Sequence, residues 1–327
     1  MRDVAALAGV GLKTVSRVIN GESKVAPETA ARVIRAANQL DYQPDFYAGT
    51  LKRTDRRTRT LGLVVGNIAN PFSGSVGRAV EDVATRHGSA VLTSSLDDDP
   101  EREEQLIANL LRRRVDSLIL TTARSDQSYL VREQERGTGL VFVDRAPAGI
   151  VADVVVTDNA DASATAVRHL MDHGHHRIAY LGDRPQLWTA QERLRGFRVA
   201  APSHPIVDED VEDEDEAVIA VERLFDQPEP PTALFTAQNL ITIGAIRALR
   251  RLGLSSRVAL VGFDDIPLGD LVEPAVTVMR QDPYAIGERA AELAFARHAT
   301  PTLAPATYVI PSTLVVRGSG EIPPQLS

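Results

Sequence analysis

The 327-residue chain contains no cysteine, which excludes disulfides and thiolate metal centres and fits a reducing compartment. It has a single tryptophan, and only 5% of its residues are aromatic. Long apolar runs are missing as well. Nowhere do about 18 apolar residues follow one another, so no membrane-spanning helix is expected. The first ten residues, MRDVAALAGV, lack the basic stretch and apolar core of a secretory leader, and the expected location is cytoplasmic. A GxSxG elbow, a P-loop, a GxGxxG fingerprint and an HExxH pair are all absent. His169 and His173 stand at i and i+4, a spacing that could ligate zinc, but no acidic ligand accompanies them. The expectation is a protein with no catalytic residues, no resident cofactor and no metal.

What is present is unevenly distributed. The chain carries a formal net charge of −8. Residues 1–60 nevertheless hold 11 Lys and Arg against six Asp and Glu, which leaves 25 basic and 38 acidic groups for the remainder. A small basic module is therefore joined to a large acidic one, and a polyanion would be drawn to the first and repelled by the second. Length suggests two or three domains, and 43% hydrophobic with 24% charged residues is ordinary for a soluble globular chain.

The basic module opens with DVAALAGVGLKTVSRVIN, Asp3 to Asn20. Small apolar residues at helical spacing run from Asp3, read as an N-cap, to Ala8; Gly9-Val10 turns the chain; a second helix runs from Leu12 to Val18. Two helices of about two turns joined at a glycine form the pattern of a helix-turn-helix. A third helix is expected over Glu28–Leu40, with Ala30, Val33, Ile34, Ala37 and Leu40 on one face and Pro27 in its first turn. The stretch DFYAGTLKRTDRRTRT then reads as a basic, Thr-rich connector.

From Leu61 the texture changes. LGLVVGNI, AVLTSSL, VDSLILT, GLVFVDR, RIAYLG, TALFTA and VALVGFDD are short, nearly all-apolar runs. Helical patterns separate them at Val76–His87, Glu101–Arg113, Asp161–His173 and Ile241–Gly253. Apolar strands alternating with amphipathic helices indicate parallel sheets covered on both faces. Such sheets bind ligands at the carboxyl ends of their strands. There the sequence places Asn70-Pro71-Phe72, Asp97-Asp98-Asp99, Asp144-Arg145, Gln238-Asn239 and Asp264-Asp265.

On these residues the chain resembles the LacI/GalR family of bacterial transcriptional repressors over nearly its whole length. The matching stretches include DVAALAGVGLKTVSRVIN, LDYQPDFYAGTL, NPF, RRRVDSLIL, GHHRIAYLG, ERLRGF, VALVGFDD, TVMRQD and PSTLVVR, in the family order. The resemblance implies an α/β fold: an N-terminal all-α helix-turn-helix headpiece and a two-lobed periplasmic-binding-protein-like core of parallel sheets with flanking helices. The headpiece would cover 1–44, a hinge helix and linker 45–60, and the effector-binding and dimerisation core 61–327. Within the core the N-lobe would take about 61–156 and 282–311, and the C-lobe about 157–281 and 312–327.

The same resemblance implies site residues. In the second headpiece helix, which also carries Thr14, Leu12, Lys13 and Arg17 fall at base-reading positions, and Ser16, Asn20 and Thr29 at phosphate-contacting ones. Ala48, Leu51 and Lys52 match the hinge helix, whose Leu wedges into the minor groove. Gly11 departs from the family's Ser cap, and Asp45 and Gly49 from its Asn and Arg. For the effector cleft the positions are Phe72, Ser73, Asp144, Trp188, Arg193, Gln238, Asp264 and Gln281. Trp188 would stack on a sugar ring or pack in the fold. The acidic segment around 208–216 reads as a solvated loop rather than a rebuilt cleft edge. Implied partners are a double-stranded, approximately palindromic operator, a small sugar-like effector and a second copy of the chain, with no membrane. The implied function is a repressor of sugar-utilisation genes controlled by that effector. Two other readings stay open: a solute-binding protein with the same core and no DNA role, and a regulator answering to a non-sugar metabolite.

Overall fold

The computed structural model describes residues 1–19, 25–42, 58–201, 205–300 and 302–325. The chain divides into two compact units, Met1–Arg59 and Thr60–Ser327.

The first unit contains helices α1 (Arg2–Ala8), α2 (Leu12–Ile19) and α3 (Pro27–Gln39). Gly9 ends α1 in the left-handed region at φ 64°, a conformation glycine adopts without steric cost. Asp3 lies inside the first turn of α1, not at its cap, where it still favours the helix dipole. With Gly11 in place of a side-chain cap, its carbonyl accepts from Thr14 N and Val15 N to start α2. The core is built of small residues: Val4, Ala5, Ala8, Val15, Val33, Ala36 and Ala37, closed by Val10, Val18, Ile19 and Tyr42. Ala and Val at the contacts let three short helices approach closely enough to exclude water.

The second unit has two six-stranded sheets. In chain order it contains β1 (Thr60–Val65), α4 (Pro71–Arg86), β2 (Ala90–Ser95), α5 (Pro100–Arg112), β3 (Ser117–Leu120), α6 (Val131–Glu135), β4 (Gly139–Val143) and β5 (Asp153–Thr157). There follow α7 (Asn159–Asp172), β6 (Ile178–Leu181), α8 (Trp188–Ala200), β7 (Ile206–Asp208), α9 (Glu214–Phe225) and β8 (Ala233–Thr236). The chain ends with α10 (Asn239–Arg251), β9 (Ala259–Phe263), β10 (Thr277–Arg280), α11 (Pro283–Ala299), β11 (Thr307–Ile310) and β12 (Thr313–Val315).

Sheet order is β11-β5-β4-β3-β1-β2 in the first sheet and β12-β10-β9-β8-β6-β7 in the second. The two orders are the same pattern repeated, all parallel except that β12 runs antiparallel to β10. Each sheet is covered on both faces. Leu61, Leu63 and Val65 turn to one side and Val64, Leu118 and Leu120 to the other, as strands buried on both faces require. Helix α11 follows a strand of the second sheet, yet its Ile286, Ala290 and Ala294 pack on the first. The chain therefore passes between the sheets three times: after Thr157, after Arg280 and after Ile310.

Helices begin earlier than apolar periodicity indicates. Asn70, Asp99 and Asp282 cap α4, α5 and α11 through their side chains, each with Pro at the first helical positions. Helices α6, α8, α9 and α11 and the strands β5, β7, β10, β11 and β12 lie outside the apolar runs and periodic segments. The acidic stretch is only partly a solvated loop: Asp208 ends β7 and Glu212 is exposed loop, but Asp213 caps α9 by accepting from Asp215 N and Glu216 N, and Glu214, Asp215 and Glu216 form its first turn, where negative charge is favoured by the helix dipole.

Helix α8 crosses α7 at Gly196, where an added Cβ would lie 2.0 Å from the carbonyl oxygen of Ala160. Gly196→Ala must push the helices apart and should cost about 1–3 kcal/mol. Denaturant unfolding of wild type and variant measures this directly. An unchanged midpoint would mean that the helices do not meet so closely.

Candidate functional site

Two surfaces collect the residues singled out above. On α2, Val15 is fully buried, whereas Leu12 (48% exposed) and Lys13 face outward. Thr14, Ser16 and Arg17 are half-buried, as is Thr29 near the start of α3. An exposed leucine beside a lysine at a helix start gives an edge suited to thymine methyls and to base or phosphate acceptors. Asn20, Ala48, Leu51 and Lys52 lie outside the described residues.

The second surface is a cleft of about 310 Å³ between the strand ends of the two sheets. Phe72 and Ser73 reach it from the first turn of α4, and Asp144 from just beyond β4. Arg193 reaches it from α8, Gln238 from the cap of α10, Asp264 from just beyond β9, and Gln281 from the second chain passage. Trp188 does not line it. The ring packs on the apolar cluster of the first sheet, and its neighbour Thr189 lines the cleft instead.

Arg193 is the fixed point of this geometry. Nε donates to Asn159 Oδ1 (2.7 Å), a second nitrogen to the carbonyl of Ala237 (2.7 Å), and the guanidinium lies 3.9 Å above the Phe263 ring. Asn159 is itself 2% exposed. Gln281 Nε2 donates to Asp264 Oδ1 at 2.6 Å, while Gln281 Oε1 is buried without a partner. A rotated amide would set oxygen against carboxylate, so this orientation is fixed by its neighbour.

Burial holds the Asp144, Asp183 and Asp264 carboxyls above the ordinary carboxylate range. Arg145 and Arg193 oppose the shift at Asp144, the Arg184 backbone hydrogen bond opposes it at Asp183, and Arg193 and Gln281 oppose it at Asp264. Asp144 and Asp264 sit in the left-handed region at φ 66° and 71°. Asp97 and Asp98 beyond β2 do the same at 53° and 54°. Non-glycine residues held there cluster at ligand sites, and each costs on the order of 1 kcal/mol.

The strand-end rule had marked Asn70, Asp97, Asp98, Arg145 and Asn239, and all five line the cleft. Asn70 and Asn239 exchange amide hydrogen bonds of 3.1 and 2.9 Å, joining the caps of α4 and α10 across the opening. Asp183, Arg184 and Glu212 also line it: Asp183 and Arg184 follow the end of β6, and Glu212 belongs to the acidic stretch expected to be a solvated loop rather than a cleft edge. Asp265, beside Asp264, is directed elsewhere: Arg317 holds it with two bonds of 2.7 Å. The histidines serve the fold. His169 meets Glu321 (2.5 Å), and His175 bonds Thr232 and the Ile322 carbonyl. Among the described residues no group of three or more His, Asp or Glu could hold a metal ion, and no helix is long and apolar enough to cross a membrane.

Set beside known proteins, residues 1–45 match "Bacterial regulatory proteins, lacI family" and residues 167–320 match "Periplasmic binding protein-like domain". The HTH-type transcriptional regulator GalR of Salmonella typhimurium is 33% identical over 331 residues, covering 99% of this chain and 96% of that one. A solved transcriptional regulator CelR–cellobiose complex is 31% identical, with TM-score 0.72 over 97% of this chain and 98% of that one. The lac repressor dimer bound to operator and the anti-inducer ONPF reaches TM-score 0.86 at 24% identity, over 97% and 98% of the two chains.

The raised carboxyl of Asp183 carries a consequence for stability. Below pH 3.8 it is neutral in folded and unfolded chains alike. As pH rises, the unfolded chain ionises first, so the fold loses stability up to and through the raised value. Asp183→Asn should therefore raise the melting temperature of the ligand-free protein at pH 7, with the gain vanishing towards pH 3.8. A gain independent of pH would show that charge is not its cause.

Proposed function

The chain belongs to the lacI family of bacterial regulatory proteins, and from that premise we propose how its two units divide the work. The protein is a DNA-binding transcriptional regulator. Its first unit reads an operator with α2 in the major groove, Leu12, Lys13 and Arg17 addressing bases and Ser16, Asn20 and Thr29 addressing phosphates. Residues 45–60 form the hinge, where Ala48, Leu51 and Lys52 enter the minor groove once two copies meet on the site. A segment this short gains helix only with such support. Two headpieces on a twofold axis require an approximately palindromic operator.

The observation that carries the reading is the outward edge of α2, where Leu12 is half-exposed beside Lys13 on a helix whose other side is a closed core. A solute-binding protein has no use for that edge or for the basic charge around it. The second unit serves as the control module, its halves being about 61–156 with 282–311 and about 157–281 with 312–327. A small sugar bound between them, against Phe72, Ser73, Asp144, Arg193, Gln238, Asp264 and Gln281, changes operator affinity. The relative solved with cellobiose supports a carbohydrate. The cleft is assigned to holding a ligand and not to catalysis, and the protein works in the compartment that holds its DNA.

Footprinting upstream of its own and neighbouring genes should find a protected palindrome; none would sink the operator reading. Lys13→Ala and Arg17→Ala should each cost about 1–3 kcal/mol on the cognate site and relax base preference. Leu51→Ala should weaken operator binding and spare random DNA, and equal losses on both would remove the wedge. Calorimetry with a sugar found by thermal shift should show that Arg193→Ala and Asp264→Ala abolish binding; wild-type affinity in both would mean that the cleft is misplaced.

A further inference from the structure

The charges lining the cleft are strongly one-sided. Six carboxylates line it against three guanidiniums. Each guanidinium already serves protein acceptors. Arg193 is held by Asn159 and the Ala237 carbonyl, Arg145 by Asp98 (2.6 Å) and the Thr122 carbonyl (2.9 Å), and Arg184 by Glu212 (3.1 Å). Unpartnered buried atoms occur on both sides: Arg145 Nε and Arg184 Nε have no hydrogen-bond acceptor. Gln281, 5% exposed, has a buried oxygen with no donor. Asp183 receives the Arg184 backbone N–H at 2.7 Å and only a long bond, 3.4 Å, from Gln238. Asp144 meets Arg145 no closer than 3.7 Å.

Resting on the reading of this cleft as the effector site, we propose that it selects ligands by their hydrogen-bond donors and excludes anions, so that the effector is a non-anionic polyhydroxy compound and not its phosphate or acid. Asp183 is the residue that enforces the choice from the second half. A hydroxyl can donate to the carboxylates and to Gln281 Oε1, a buried acceptor that otherwise goes unsatisfied. A phosphate brings negative charge into a site where carboxylates already outnumber guanidiniums two to one. Like charges so placed repel strongly where solvent screening is weak. A two-pronged phosphate clamp on Arg193 or Arg145 would require dismantling their contacts to Asn159, Ala237, Asp98 and Thr122.

The test is a thermal-shift panel of matched pairs on the full chain, followed by calorimetry of the pair that responds. The pairs are galactose and galactose 1-phosphate, ribose and ribose 5-phosphate, cellobiose and cellobionate, and, outside the sugars, adenosine and its monophosphate. The uncharged member should stabilise the wild type, and its anionic partner should bind roughly tenfold or more weakly. In Asp183→Asn that ratio should narrow, and added salt should narrow it further in wild type than in the variant; a purely structural Asp183 would leave both ratios alone. An anion binding as tightly as its parent overturns the proposal. If only adenosine binds over its monophosphate, the sugar reading fails and the exclusion of anions stands. If no pair binds, the cleft assignment and the proposal fall together.

Discussion

The Arg193 guanidinium is the charge on which the rest of the cleft depends. It draws on the carboxyls of both Asp144, beyond a strand of the first sheet, and Asp264, beyond a strand of the second. Two buried carboxylates facing one another would each push the other towards neutrality, and Asp264 does raise Asp144. One fixed cation between them keeps both available as acceptors for a ligand. Its position is set by Asn159, the first residue of α7, and by the Ala237 carbonyl at the end of β8, with Phe263 beneath. Losing one partner of a buried charge costs several times what the pair contributes in net terms. Asn159 is accordingly a positioning residue even though it never lines the cleft.

The residues that hold Arg193 lie beside the residues that connect the halves. Asn159 follows the first passage between sheets, and Gln281, which fixes Asp264, sits in the second. The first and third passages are tied together by Asp158, which accepts from Ser312 N (2.9 Å) and Oγ (2.7 Å). Two further contacts cross between the halves away from the passages. Trp188 begins a helix of the second half and packs on the core of the first, and Asn70 and Asn239 exchange amide bonds at the cleft opening. A ligand that touches acceptors from both halves competes with, or adds to, this small set of contacts.

Much of this could be read from residue order. Short apolar runs marked most of the central strands, because strands covered on both faces leave no polar alternation to confuse the pattern. The strand-end rule found Asn70, Asp98, Arg145 and Asn239 before any family likeness was considered. What could not be read depends on long-range placement. Asp183 and Glu212 come together in the cleft from either side of α8 and β7; Asp183 follows a strand end as Asp144 does, but nothing local shows that Glu212, in the acidic run, lines the cleft. Trp188 carried a stacking surface that suited a sugar, yet the nearest unfilled apolar surface belonged to the other half. The acidic run looked solvated because its charges are many; Asp213 instead turns them to use as a cap and a first helical turn. Local pattern does not separate Asp264 from Asp265; the family likeness picks Asp264, and the bidentate bond from Arg317 holds Asp265 as the structural one.

This arrangement constrains how the two units can be coupled. Tight binding in the cleft does not by itself change operator affinity. Only a difference in affinity between two arrangements of the halves does so, and couplings of about 1–3 kcal/mol suffice for changes of some 5- to 150-fold. The buried acceptor left without a donor, Gln281 Oε1, is satisfied when a ligand hydroxyl reaches it beside the Asp264 and Asp144 carboxylates. That difference in satisfaction is the free energy available to favour one arrangement. The Asn70–Asn239 pair and the Trp188 contact set the opposing term, since they already hold the halves together without a ligand. A regulator built this way responds to the number and direction of hydroxyls its effector offers, because each donor that meets a buried acceptor shifts the balance and each anion added to the site works against it.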